Sequence, residues 1–259
     1  MTEVRYEPEA APGVALVTFA GEDKLNAFSR ETWAAFGEAV TRFGQAADAD
    51  VLVLTGAGRA FVAGADIAEY VDASPEAFVA FQRIVRDVTD SVVACEKPVV
   101  AAVNGYALGG GFELVLACDL VVASSTARFG VPEAKIGLLP GGGGTQRLPR
   151  AVGPRVAKEL LMTGRLVDAD EAFRLGLANR VVDPNDLLDA AFELAQDIRA
   201  VAPLAVRMAK RLVDQGLELG LSKGLDLENR EQPKLFATRD GKEGIAAFQE
   251  KREPRFTGE

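Results

Sequence analysis

Histidine is missing altogether from the 259 residues. Its absence removes Ser-His-Asp and Cys-His catalysis, histidine metal sites and the side chain that ordinarily titrates near neutrality. Acid–base work must then fall to carboxylates, Lys, Tyr, Cys or backbone amides. Cysteine is scarce: Cys95 and Cys118, both in apolar surroundings, read as reduced core thiols and not as a disulfide framework. Positive charge is outnumbered, with 29 Lys and Arg against 38 Asp and Glu, and the net charge of −9 argues against nucleic acid or an anionic membrane as a partner. No apolar run approaches the ~20 residues of a membrane span. The start, MTEVRYEPEA, lacks the apolar stretch of a signal peptide. These absences point to a cytoplasmic protein with neither membrane nor nucleic acid as partner.

What is present is ordinary for a globular chain, 48% hydrophobic and 26% charged. Short apolar runs alternate with helical patterns. VALVTFA (14–20) reads as a strand, and Ser29 then N-caps a helix with Trp33, Phe36, Val40 and Phe43 on one face. Further strands are expected at 49–56, 97–105 and 119–125, with a helix over 75–95 that has Pro75 in its first turn. Strands separated by helices predict an α/β fold with a mostly parallel sheet covered by helices. Beyond about residue 150 only 180–183 reads as a strand, and helices are expected at 186–200, 203–219, 224–237 and 240–251. The shift suggests an α/β core with a helical C-terminal layer.

Glycine is concentrated at two places, NGYALGGGFELV and LPGGGGTQRL. Neither supplies a Walker A loop or a G-x-G-x-x-G turn after a strand, so a phosphate-loop reading fails. The first instead places a glycine turn between a strand and a helix that starts near Gly110. A helix start offers unpaired N–H groups and the positive end of a dipole, which suit an oxygen that gains charge during reaction. Glu113 lies about one turn in. On these residues alone it is either a first-turn helix acid or part of such a site. Glu133, directly after Pro132 and 20 residues further on, is open to the same two readings. Together the two could form an acid–base pair that needs no histidine. Asp66 in GADIAEY reads as the N-cap of a short helix over 67–70, and Arg147 reads as structural.

AFVAGADI (60–67), KPVVAAVNGYALGGGFELVLACDL (97–120), FGVPEAKIGLLPGGGGTQRLPRAVG (129–153) and EGIAAFQEKREPRF (243–256) together resemble the enoyl-CoA hydratase (crotonase) family. The resemblance runs from about residue 14 to 256. It implies a crotonase-like α/β core of repeated strand-strand-helix units over 1–195 that holds an acyl-CoA site. The helical region 196–259 would serve oligomerisation and close the CoA site. The backbone N–H groups of Ala65 and Gly110 would clasp the thioester oxygen. Glu113 would orient and activate water, Glu133 would exchange a proton with the α-carbon, and the Gly141 amide would help seat the water. Lys24, Leu25, Ala27, Ala63, Ala65, Asp66 and Ile67 match segments that contact acyl-CoA. Lys251 matches a lysine that reaches the 3′-phosphate of a neighbouring subunit's CoA in a homotrimer, commonly paired into a hexamer. No metal and no cofactor are implied, coenzyme A being part of the substrate. Gly142 stands where many relatives have alanine. Glutamates at both positions favour reversible syn-addition of water to a 2-trans-enoyl-CoA, giving a 3-hydroxyacyl-CoA. The alternatives are an isomerase, decarboxylase or dehalogenase on the same scaffold, or a member with mainly an RNA-binding role.

Overall fold

The first ten residues, acidic and polar, nonetheless begin a strand. In the computed structural model, which describes residues 1–259 apart from the side chain of Glu22, β1 (Glu3–Ala11) pairs antiparallel with β2 (Val14–Ala20). β1 is an edge strand: Val4 and Tyr6 pack on the core, whereas Glu3, Arg5 and Glu7 face solvent. Charge on an edge strand guards against stray pairing, which is why so polar a segment passes for a tail when read by composition.

The chain then cycles through similar units. α1 (Arg30–Gln45) is followed by β3 (Val51–Gly56), β4 (Ala60–Val62) and α2 (Pro75–Ala94), and these by β5 (Val99–Val103), β6 (Tyr106–Leu108) and α3 (Gly110–Val115). Next come β7 (Leu120–Ser124), β8 (Arg128–Gly130), α4 (Gly144–Val152) and α5 (Pro154–Thr163). β9 (Val167–Asp168), α6 (Ala169–Arg174), β10 (Arg180–Val182) and α7 (Leu187–Arg199) complete the core. In the units β3–β4, β5–β6 and β7–β8 the first strand joins a six-stranded sheet of order β1-β2-β3-β5-β7-β10 and the second joins a four-stranded sheet of order β4-β6-β8-β9, whereas β9 joins the smaller sheet and β10 the larger. β2, β3, β5, β7 and β10 run parallel, as do β4, β6 and β8.

The larger sheet is buried on both faces. Leu52 and Leu54 of β3 pack with Phe36, Phe43 and Val88 of α1 and α2, while Val51 and Val53 pack with Leu187, Ala191 and Ala195 of α7. Two-sided burial explains why these strands read as unbroken apolar runs. The α1 face is as expected: Trp33, Phe36, Val40 and Phe43 are all buried, and the Ser29 hydroxyl accepts a hydrogen bond from Thr32 N at 3.3 Å. Cys95 and Cys118 are both free thiols.

After α7 the chain forms only helices: α8 (Pro203–Leu217), α9 (Leu221–Ala237) and α10 (Arg239–Glu250). Residue 195 lies inside α7, so the change of layer comes after Arg199, whose guanidinium is still tied to Asp50 and Pro12 O. Seven elements of the region 144–180 and of the smaller sheet were not legible: β4, β6, β8 and β9 are two or three residues long and α6 only six, too short for periodicity, and α4 and α5 are separated by Gly153 alone.

Candidate active site

Three successive strand ends of the smaller sheet open onto one cavity. β4 leads into Ala63–Asp66, β6 into Gly109 and Gly110, and β8 into Pro132 and Glu133. The strands are parallel, so their carboxyl ends lie on the same edge, where α/β sheets ordinarily collect ligands. Of the residues singled out in the sequence, Ala63, Ala65, Ile67, Gly110, Glu113, Glu133 and Gly141 line this cavity. Lys24, Leu25, Ala27, Asp66 and Lys251 do not.

Four of those five still sit beside it. Leu25 takes a left-handed backbone, φ 51°, and buried Asn26 holds the turn by donating to Ala57, Ala60 and Phe61 carbonyls. Lys24–Ala27 is thereby laid against Ala63–Asp66: Ala63 N donates to Leu25 O at 3.1 Å, Phe28 N to Gly64 O at 2.9 Å and Asp66 N to Phe28 O at 2.8 Å. This ladder bypasses the Ala65 N–H. Asp66 is the N-cap of a short 3-10 helix, Ile67–Glu69, accepting from Ala68 N, and it pairs with Lys24, which holds its carboxyl below the usual range. Lys251 ends α10 with φ 55°.

The glycine triplet resolves into three separate requirements. Gly109 has φ 51° and ψ −124°, a conformation that L side chains avoid, and a methyl group there would come 2.8 Å from Glu133 Oε1. Gly111 lets α3 approach β4, since a methyl group on it would strike Val62 O at 2.0 Å. Gly110 is the least constrained, with a methyl group meeting only Trp33 Cζ2 at 3.4 Å. Its N–H belongs to the first turn of α3 and has no acceptor within the helix.

Glu113 is 2% exposed, and its Oε1 accepts from Gly144 N at 2.7 Å. Burial raises its pKa, and the amides of Gly144, Gly142 and Gly143 together with the Arg147 charge partly offset that. Arg147 fastens the same loop from behind, donating to Gly142 O at 2.6 Å and to Asp90 of α2 at 2.8 Å. The glycine run after Pro140 thus acts as a clamp on Glu113. A methyl group on Gly142 would press on Glu113 Oε2 at 3.0 Å and Val85 at 3.1 Å, so alanine there would crowd the carboxylate.

Glu133 has a buried oxygen, Oε2, without a hydrogen-bond partner among the described residues. Burial pushes its pKa up to about 7, its own backbone N–H lowering it and the Glu113 charge raising it further. One cavity therefore holds two desolvated carboxyls of contrasting support: Glu113 clamped by backbone N–H groups, Glu133 with an unpartnered oxygen and able to hold a proton near neutrality. Divergent support of this kind suits a base and an acid. Two backbone N–H groups at the same cavity, Ala65 and Gly110, suit an oxygen that becomes negative.

Sequence reasoning assigned no individual residue to the remaining wall. Trp33 was assigned to the core alone, yet it also lines the cavity, as do Tyr70, Phe78, Gln82, Val85 and Leu139. Phe78, Gln82 and Val85 stand at i, i+4 and i+7 on α2, a spacing that marks one helix face. The Gly144 amide could have been suspected only as another N–H of a glycine-rich helix start.

The family model described as enoyl-CoA hydratase/isomerase matches residues 9–259. Crotonyl-CoA hydratase of Syntrophomonas wolfei is 44% identical over 233 residues, covering 90% of each chain. Short-chain-enoyl-CoA hydratase of Clostridium acetobutylicum is 41% identical over 240 residues, covering 92% of each. Among solved structures, enoyl-CoA hydratase from Bacillus anthracis superposes with a TM-score of 0.94 at 39% identity, covering 100% of this chain and 99% of that one.

Proposed function

The chain belongs to the enoyl-CoA hydratase/isomerase family, and on that premise we propose that it is an enoyl-CoA hydratase that adds water reversibly and syn to a 2-trans-enoyl-CoA. The observation that carries this reading is the pair of carboxyls at one cavity, one clamped by amides and one with an unpartnered oxygen. Ionised Glu113 takes a proton from the water as its oxygen bonds to the β-carbon. Charge passes to the thioester oxygen, which the Ala65 and Gly110 N–H groups receive. Glu133 then delivers its proton to the α-carbon on the same face, and the Gly141 amide helps seat the water. The product is a 3-hydroxyacyl-CoA, and the pair has exchanged its proton from one member to the other.

Each role uses only side chains and amides of this chain, so the proposal includes no metal and no cofactor beyond the CoA of the substrate. In the described residues no group of three or more His, Cys, Asp or Glu stands together, and no helix is long and apolar enough to cross a membrane. A cytoplasmic location is part of the same proposal. The protein should hydrate crotonyl-CoA in EDTA, seen as loss of the conjugated-thioester absorbance. No turnover of any 2-enoyl-CoA would refute the assignment.

The region 196–259 is proposed to build a homotrimer, or a hexamer of two trimers, and to close the CoA site of a neighbour through Lys251. Support comes from apolar side chains left in the open on α8–α10: Leu217 is 69% exposed, Leu221 79%, Phe236 66% and Phe248 85%. Where exposed apolar side chains adjoin, the surface they form ordinarily marks an interface.

A further inference from the structure

The acyl group must leave the site in one direction. Its thioester oxygen is fixed near Ala65 and Gly110 and its α- and β-carbons lie by Glu133 and Glu113, so the remaining carbons continue past the Glu113 clamp, along Gly141 and Gly142. The wall there is α2. Val85 stands against Gly142, and one helical turn earlier stands Gln82.

Gln82 is the polar member of an otherwise apolar stripe formed with Phe78 and Val85 on the cavity side of α2. Its carboxamide fills the space directly over Gly141: a methyl group there would meet Gln82 Oε1 at 1.7 Å, Cδ at 2.6 Å and Nε2 at 3.2 Å. The whole planar end group, not one atom, occupies the volume next to the amide expected to seat the water. The Tyr70 hydroxyl lies beside Gln82 and is itself fixed, because its ring packs edge-on to Phe78 and Phe81 at centroid distances of 5.3 and 5.4 Å.

We propose that Gln82, with the Tyr70 hydroxyl beside it, is a specificity-determining stop that ends the acyl groove just beyond the reacting carbons and restricts the enzyme to short-chain 2-enoyl thioesters. The inference rests on the hydratase reading for the direction of the chain. The mechanism of restriction is bulk. A longer chain has to displace a carboxamide from a position between Gly141 and Tyr70, whereas a four-carbon chain ends before reaching it. A leucine has nearly the same volume and should serve as the same stop, but alanine should not.

The test uses two readouts. Hydration of crotonyl-, hexenoyl-, octenoyl- and decenoyl-CoA is compared for the parent, Gln82→Ala, Gln82→Leu and Tyr70→Phe. Binding of butyryl- and octanoyl-CoA, which cannot react, is measured by calorimetry on the same proteins. The parent should favour crotonyl-CoA, and Gln82→Ala should raise the octenoyl-to-crotonyl ratio of kcat/KM by at least about tenfold, the scale at which one methylene is discriminated in a pocket. Gln82→Leu should keep the parental ratio, and Tyr70→Phe, by removing the hydroxyl beside the carboxamide, should fall between. The octanoyl-to-butyryl affinity ratio should move in the same order. An unchanged ratio in Gln82→Ala, a parent indifferent to chain length, or a Gln82→Leu as permissive as Gln82→Ala would overturn the proposal. Loss of hydration with the binding order intact would refute the hydratase reading alone.

Discussion

Glu133 keeps one buried oxygen without a partner, and its carboxyl holds a proton up to about pH 7 in consequence. Hydration needs one proton on the pair, located on Glu133, with Glu113 ionised. The reverse reaction starts from the same one-proton pair with the proton on the other member, so both directions share one pH dependence. We expect kcat/KM to fall as pH rises through about 7, when the free enzyme loses the Glu133 proton. A profile flat from pH 6 to 9 would contradict this. Glu113→Gln and Glu133→Gln should each lower kcat by at least ~100-fold, and the double variant by less than the product, because both groups act on one water. The same shift has a signature in stability. The folded value exceeds the ordinary 4.5, so between 4.5 and about 7 the unfolded chain binds fewer protons and stability falls as pH rises. Glu133→Gln removes this loss. Its Tm should exceed the parent's most above pH 7, and the two should converge below about pH 4.5.

The elements around the glycine triplet make a prediction about stability. Gly110, whose N–H is expected to clasp the thioester oxygen, has only Trp33 near its missing side chain, whereas Gly109 and Gly111 face Glu133 and Val62 O. Gly110→Ala should therefore lower Tm less than Gly111→Ala does. Gly109→Ala should cost about 1–3 kcal/mol for its backbone alone, and should also depress kcat by displacing Glu133. Equal thermal losses across the three would refute the assignment. Elements were legible wherever burial imposed a period: β2 begins and ends at the expected residues, and α2 ends one residue early. The smaller sheet was not, because its strands owe their existence to neighbours and not to their own pattern. The same division holds for the site. Glu113 stood out as an acid one turn past a glycine-rich helix start and Glu133 as an acid directly after Pro132, but the clamp on Glu113 consists of backbone N–H groups, and the wall at Gln82 depends on which turn of α2 faces the cavity.

For the whole molecule, an acidic chain is paired with a ligand more acidic still. Lys251→Ala should raise KM for crotonyl-CoA with little change in kcat, and the effect should shrink for the ester of dephospho-CoA, which lacks the 3′-phosphate. Light scattering should report a trimer or a hexamer, and Phe248→Asp should weaken the assembly if α10 contributes to it. A monomer, or equal losses on both esters, would overturn this part of the proposal.

The origin of the site in three strand ends also has a consequence in time. Ala65, Gly110 with Glu113, and Glu133 belong to three consecutive strand-strand-helix units, held together by β4, β6 and β8 at two or three ladder positions each. A slip of one residue in any of these pairings shifts a functional group by about 3.3 Å, which is the full length of a hydrogen bond. A refolding chain that has built only the larger sheet has no site, so catalysis cannot return before β4, β6 and β8 have docked in register.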